Sequence, residues 1–521
     1  MPNGGMARCL LMRKLSFLQS HSMTGSIAES PHAWRKLFLC YAGLCLLLVL
    51  PSATLWFGTP FEVLRHNFDY FCGWVHVSGW TRPQVMLLGR FVQTALFAMS
   101  GFLFYRLVTR HAEAIENARP KHLAIAVGAL LAVYLTGLPW LNPDMFWAIG
   151  RGWVDAHYGA EPYLVPTGAI SDFRTDPMFQ NIDPGLLRNS GNYGPLHHSI
   201  ATILAGLSGG NIRAATLLFK LTDLAFLLCS AAVLFQLARQ AGLKAQYLTF
   251  CYLANPIVPL VFVAWGHNDI MQNFFLLLAV WCVYREKPLL SGAALGGAIA
   301  LKYVAIVLAP ALVLYWWCAK NWRIRSALLS LLGVVVVVCY ANSMYEGAWR
   351  SMLHIYTVGW SPIRSSIYCI MVPITRWIEA TTMAPARLTL SLTYVVASAT
   401  LTFAMLWKRE VKPTDFLRVC VWIFNFYFLF AAPAVLEWYL TWTLACLLLL
   451  PDYLRCFSVL YSFYMPLVPF TLYLPDLVQY PVNIALYFVF VGCVVFLTPW
   501  REPFKRERQA LPAEPVAVAR A

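Results

Sequence analysis

Apolar runs separated by short polar gaps make up most of this chain. Their lengths predict membrane helices near 37–56, 85–106, 122–141, 214–238, 247–265, 268–284, 289–319, 326–345, 387–407, 418–436, 438–451, 456–475 and 481–499. The run at 289–319 is too long for one crossing, because at about 1.5 Å per residue it overshoots a hydrocarbon core of about 30 Å. Lys302 sits near its middle, with Gly296 and Gly297 before it and Pro310 after it, so the run is expected to form a broken hairpin of two short helices. The pattern predicts an all-α, polytopic transmembrane protein of about 13 membrane segments, one of them that hairpin. A single long polar stretch interrupts it. Asn142 to His198 opens with Asp144, straight after an apolar run, and closes with Asn192-Tyr193-Gly194-Pro195-Leu196. Within this acidic loop, Asp144 to His157 is expected to continue as a helix along the membrane surface.

Composition agrees with the pattern: of 521 residues 60% are hydrophobic and only 12% charged, which places the chain among integral membrane proteins. The net charge of +15 lies mostly in short gaps rather than in one patch, so it reads as a topology signal and not as a nucleic-acid surface. The basic gaps are the N-terminal tail, Arg106 to Lys121, Arg239 to Lys244, Arg285 to Lys287, Lys320 to Arg325, Lys408 to Arg418 and Arg501 to Arg508. By the positive-inside rule these gaps and both termini are cytoplasmic. The segments 57–84, 142–198, 346–386 and 476–480, with the turns at Asn268 and Glu437, then face outward, and aromatics such as Trp147, Trp153, Tyr163, Trp438 and Trp442 border them. Three regions follow: a cytoplasmic tail at 1–36, a membrane domain at 37–499 that carries the outer loop 142–198, and a disordered cytoplasmic tail at 500–521. No cleaved signal peptide is read in the first 36 residues, and Met6, Met12 and Met23 leave the start open. Most of the 14 cysteines fall inside apolar runs; only Cys72 and Cys369 are expected outside, where a disulfide between them rests on parity alone.

Candidate chemistry gathers at the outer face. Asp144, Trp147, Arg151 and Asp155 share one helical face, which would turn a carboxylate and a guanidinium toward an outer cavity. Asp144 also suits a helix N-terminus, where orphan N–H groups and the dipole favour an acid, and the two roles are compatible. Gly266-His267-Asn268-Asp269 reads as a tight turn in which Gly266 supplies an unusual backbone angle and Asn268 or Asp269 caps the next helix. His267, His197 and His198 lack metal-ligand spacing. An ammonium at Lys302, inside an apolar hairpin, costs roughly 2.5–3.5 kcal/mol unless it finds a partner or water. It either snorkels to the interface or meets a buried anion, for which phosphate fits best. Lys220 and Asp223, three apart on one helix, read as a self-neutralising pair, and Glu437 is a carboxylate at the last outer turn.

Several segments resemble, in order, those of the GT-C glycosyltransferases. Asp144-Met145-Phe146, Gly150-Arg151 and Gly159-Ala160-Glu161-Pro162-Tyr163 resemble that superfamily's acidic-loop pattern after a transmembrane helix. Asn192-Tyr193-Gly194-Pro195-Leu196, Gly266-His267-Asn268-Asp269, Ala300-Leu301-Lys302-Tyr303 and the Trp438-Tyr439 and Trp442 turn are similar to segments of the bacterial polyprenol-phosphate-mannose-dependent mannosyltransferases. The resemblance spans about 142 to 442, and the order of motifs carries it more than any one of them. Two features depart from the family pattern: Phe146 stands where a second acid is common, and Glu437 replaces a proline.

The resemblance implies a membrane hexosyltransferase of the inner membrane. It would take a mannose-like sugar from a polyprenyl-phosphate donor to a glycan or lipid acceptor on the extracytoplasmic face, with inversion. Asp144 would be the base, Lys302 and Arg151 would stabilise the departing phosphate, and Tyr193, His267, Asn268, Asp269, Glu437, Trp438 and Tyr439 would contact sugar and acceptor. No metal ligand is assigned, although a divalent metal stays open. Two other readings remain. A lipid-linked glycan flippase would use intramembrane charges such as Arg90, Lys220 and Asp223, but is expected to show internal repeats, which this chain lacks. A polymerase or ligase using a diphosphate carrier would lean on Arg350, His354, Arg364 and Arg376.

Overall fold

The computed structural model describes residues 33–53, 56, 82–139, 144–182, 186–188, 193–319, 324–354, 384–408, 410–432, 438–450, 485 and 488. Among them the regular elements are all helical. In chain order they are α1 (Ala33–Ala53), α2 (Arg82–Arg110), α3 (Ala112–Glu116), α4 (Pro120–Thr136), α5 (Asp144–Tyr158) and α6 (Pro195–Leu207). Next come α7 (Ile212–Gln240), α8 (Ala245–Leu253), α9 (Asp269–Tyr284), α10 (Pro288–Leu301), α11 (Ala309–Cys318) and α12 (Ile324–Asn342). The series ends with α13 (Ala348–His354), α14 (Ala384–Leu406), α15 (Pro413–Phe426) and α16 (Thr441–Leu448).

The expected count of about 13 membrane segments is corrected here. Among the described residues four helices are long and apolar enough to cross a membrane: Ile212–Gln240, Ile324–Asn342, Leu388–Leu406 and Pro413–Ala431. A fifth is reached only if α8 and Ile257–Ala264, bent by 50° across their break, are taken as one span. Hydropathy counts apolar residues and cannot tell a crossing from a shorter helix buried in protein. The run at 122–141 yields a helix of 17 residues and that at 268–284 one of 16. The 289–319 run does break at Lys302, which is extended at φ −148°, ψ 113°, but neither half, Pro288–Leu301 or Tyr303–Cys318, has the length of a span. The runs at 456–475 and 481–499 lie almost wholly outside the described residues, as do both tails, Cys72 and Cys369.

The helix expected from Asp144 forms as α5, and Met145 through Val154 are all buried. Trp147, Ile149 and Val154 pack with Ala201, Leu204 and Ala205 of α6 and with Phe219 of α7, in an apolar cluster distinct from the larger core of the other helices. The apolar side of α5 is thus covered by α6 and α7.

Candidate active site

Three breaks in helical structure converge on one point. The first is the start of α5, where Asp144 occupies the first turn. The second is the turn after the π-helical stretch Leu260–Ala264, where the His267 N–H bonds to Val261 O at 3.0 Å before α9 begins. The third is the extended Lys302 between α10 and the 3-10 turn Tyr303–Leu308. Gly266 makes the second break possible: its φ is +60°, a conformation costly for a residue with a Cβ, and an added Cβ would run into the Met145 sulfur. The loop at Tyr193 is tied to the third break by Gly194 N–H donating to Leu301 O at 2.9 Å.

The breaks aim four ionisable groups at each other in a row. His267 Nε2 lies 3.3 Å from Asp144 Oδ2, and its Nδ1 lies 2.6 Å from Asp269 Oδ2. Lys302 Nζ then donates to both Asp269 oxygens, at 2.8 and 2.9 Å. The Trp442 indole N–H donates to Asp269 Oδ1 as well. Tyr193 O–H donates to Asp144 Oδ2 at 3.1 Å, and the Tyr193 carbonyl accepts from Tyr163 O–H at 2.7 Å. Side-chain exposure falls from 30% at Asp144 to 1% at His267 and 0% at Asp269, then rises to 13% at Lys302. Asp144 is therefore the mouth of the row.

Aromatic rings close its sides. Trp438 lies on the His267 imidazole with ring centres 4.4 Å apart. The Lys302 ammonium sits 5.1 Å from the Trp442 ring centre, 5.3 Å from Tyr439 and 5.5 Å from Tyr193, a cage that attracts a cation. Burial alone would lower the His267 imidazole, but the Asp269 and Asp144 carboxylates overcome it and raise His267 to about 9. His197 behaves oppositely: burial pulls it down to about 3, so it is neutral.

The raised histidine has a testable consequence. Its folded value lies above the ordinary 6.5, so its contribution to stability is full below about 6.5 and is lost as pH rises through about 9. Thermal unfolding in detergent is expected to show a midpoint falling between those pH values in the wild type and a flatter response in His267→Gln. Parallel pH curves for the two proteins would contradict the pairing.

The sequence-predicted residues divide into groups. Asp144, Tyr193, His267, Asp269, Lys302, Trp438 and Tyr439 come together. Arg151 does not join them: it is fully buried and donates to Val165 O at 2.6 Å, with Glu161, Tyr163 and Asp155 as its electrostatic neighbours. Asn268 precedes α9 but makes no capping bond, and Asp269 spends its carboxylate on His267, Lys302 and Trp442. Glu437 lies outside the described residues. The Lys220 and Asp223 pairing is not formed: Lys220 reaches backbone carbonyls of Leu135 and Gly137, while both Asp223 oxygens are buried without a hydrogen bond. Trp442 as the donor to Asp269 was missed; its place in the aromatic turn was the one available signal. Among the described residues no group of three or more His, Cys, Asp or Glu side chains is arranged to hold a metal ion. Here the two His267 nitrogens face different carboxylates, so the polar atoms pair off instead of converging on a shared point.

Comparison with known proteins adds an independent line. A family model described as "Alpha-(1->6)-mannopyranosyltransferase, N-terminal domain" matches residues 55–318. The chain is also 22% identical over 331 residues to Alpha-(1->6)-mannopyranosyltransferase A of Mycobacterium tuberculosis, an alignment that covers 60% of this chain and 62% of that protein. The chain thus spans less than two thirds of the length of the curated relative it matches. The matched family region includes Asp144, Tyr193, His267, Asp269 and Lys302 but ends before Trp438 and Trp442.

Proposed function

Since this chain belongs to the alpha-(1->6)-mannopyranosyltransferase family, we propose that it is a membrane mannosyltransferase drawing on a polyprenyl-phosphate sugar. The acceptor is a glycan or lipid, and transfer proceeds with inversion on the extracytoplasmic face of the inner membrane, with both termini in the cytoplasm. The observation that carries this reading is the row Asp144–His267–Asp269–Lys302, partly exposed at its two ends and buried at His267 and Asp269 between them. The acceptor hydroxyl gives its proton to the Asp144 carboxylate as its oxygen attacks the anomeric carbon. The bond from that carbon to the phosphate oxygen breaks at the same time, and polyprenyl phosphate leaves with the electron pair. A phosphate is already a good leaving group, so a base suffices without a general acid. Lys302, the second partly exposed member of the row, offers positive charge to the departing phosphate while Asp269 holds it in place. Arg151, buried within α5, gives its hydrogen bond to Val165 O and takes no part in this step. Asp144, with the neighbouring Tyr193 hydroxyl, is where sugar and acceptor meet.

Purified protein in lipid nanodiscs, supplied with a panel of polyprenyl-phosphate sugars and short glycan or lipid acceptors, tests the reading. Transfer from the mannose donor is expected, and with a β-linked donor inversion gives an α-mannosidase-sensitive bond, so a resistant product would contradict inversion. Absence of transfer from every donor, with protein shown to be folded, would favour the flippase or ligase.

A further inference from the structure

Lys220 is fully buried in α7, one of the helices long and apolar enough to cross a membrane, and the structure denies it the acid three residues on. A lysine so placed is costly unless its ammonium is satisfied. It is satisfied by the end of another helix. Lys220 Nζ donates to the carbonyls of Leu135 and Gly137, and the ammonium lies 5.5 Å from the centre of the Trp56 ring. The Trp56 indole in turn donates to Thr136 O at 2.7 Å. Three successive carbonyls at the end of α4, where a helix leaves them without partners, are thus held by two side chains from elsewhere. A cation there also complements the helix dipole.

The held segment abuts the active-site turn. A Cβ built on Gly137 would come within 3.1 Å of the Ala264 side chain, so the backbone at Gly137 lies against the residue three before His267. The second charged residue of the same α7 face comes at the turn from the other side. Asp223 is 1% exposed, and its Oδ2 lies 3.6 Å from where a Cβ on Gly266 would sit. One face of α7, with residues at i and i+3, therefore backs both the Ala264 and Gly266 ends of the turn that carries His267.

We propose that Lys220 is a positioning residue for transfer: by clamping the end of α4 against Ala264 it fixes the His267 turn, and through His267 the orientation of Asp144. This rests on Asp144 serving as base. A displacement of the turn by about 1 Å is enough to lower kcat by tenfold to a hundredfold.

The test uses the full chain in nanodiscs and measures kcat and donor KM for Lys220→Met, His267→Gln, the double variant and Asp144→Asn. Lys220→Met is expected to lower kcat by at least about tenfold with donor KM within about twofold of wild type. If the clamp acts through His267, the double variant is no slower than His267→Gln alone within about twofold. A merely structural lysine would lower yield and unfolding temperature without that split or that non-additivity. Wild-type kcat in Lys220→Met, or a double variant slower by the product of the single effects, overturns the proposal. Should Lys220→Met not accumulate, Trp56→Phe decides, since it keeps an aromatic side chain but replaces the indole with a smaller ring and removes the N–H to Thr136 O. A kcat lowered about twofold or more, again absent in the His267→Gln background, supports the clamp, and an unchanged kcat overturns it. Full activity of Asp144→Asn would instead sink the base assignment, so the two failures are separable.

Discussion

Asp144→Asn is expected to lower transfer from polyprenyl-phosphate mannose by about 10²–10⁴-fold in kcat while the protein stays folded. The fold should survive because the change is isosteric, the side chain is partly exposed, and an amide oxygen can still accept from Tyr193 O–H. Function should not survive, because an amide cannot take the acceptor proton at neutral pH. Donor KM is expected to change little, since the loss falls on an interaction made in the transition state. Asp144→Glu sharpens the test. It keeps the carboxylate but shifts it by the length of one methylene relative to His267 Nε2, and it is expected to retain only about one hundredth of the activity. Activity of Asp144→Asn comparable to wild type would remove Asp144 from the chemistry.

Much of this site was legible from residue chemistry and order, and some of it was not, for reasons that can be named. Gly266 was read as a backbone requirement, and its φ of +60° meets that requirement. Lys302 was read as a cation seeking a partner at a break in a helix. The break is there, but the partner is Asp269, 33 residues earlier in the chain, a contact that no local spacing encodes. The same limit separates Lys220 from Asp223. Their spacing permits a bond on one helix face, yet tertiary neighbours offered Lys220 better acceptors at the end of α4. Arg151 shares a helical face with Asp144, but seven residues is two turns, or about 10 Å along the axis, and α5 turns that end of the face into protein.

The membrane count failed for a related reason. Apolar periodicity reports what a segment avoids, which is water, and lipid and protein interior satisfy it equally. The stretch from Ala245 to Ala264 illustrates the point: it is continuous in hydropathy, yet Asn255-Pro256 divides it and the two parts bend by 50°. That bend brings Gly266 and His267 beside Asp144 and Asp269. The feature that defeated the span count is also the one that shapes the candidate site.

Asp269→Asn should have the largest effect on stability, about 3–5 kcal/mol, because it leaves buried positive charge without its counter-ion. Asp269 has 0% side-chain exposure and faces His267 Nδ1, Lys302 Nζ and the Trp442 indole at once. An asparagine keeps an acceptor for the indole but no charge for the ammonium, and without the Asp269 carboxylate burial pulls the His267 imidazole back toward its neutral form, so the stranded charge is that of Lys302. The denaturation midpoint in nanodiscs is expected to fall sharply, and activity to be lost with it because nothing orients His267 toward Asp144. A second substitution distinguishes charge imbalance from simple loss of packing. Adding Lys302→Met to Asp269→Asn removes the stranded ammonium, so the double variant is expected to be more stable than Asp269→Asn alone, although still inactive. If the double variant were less stable by the sum of the two single effects, the row would be a set of independent contacts rather than a balanced chain of charges.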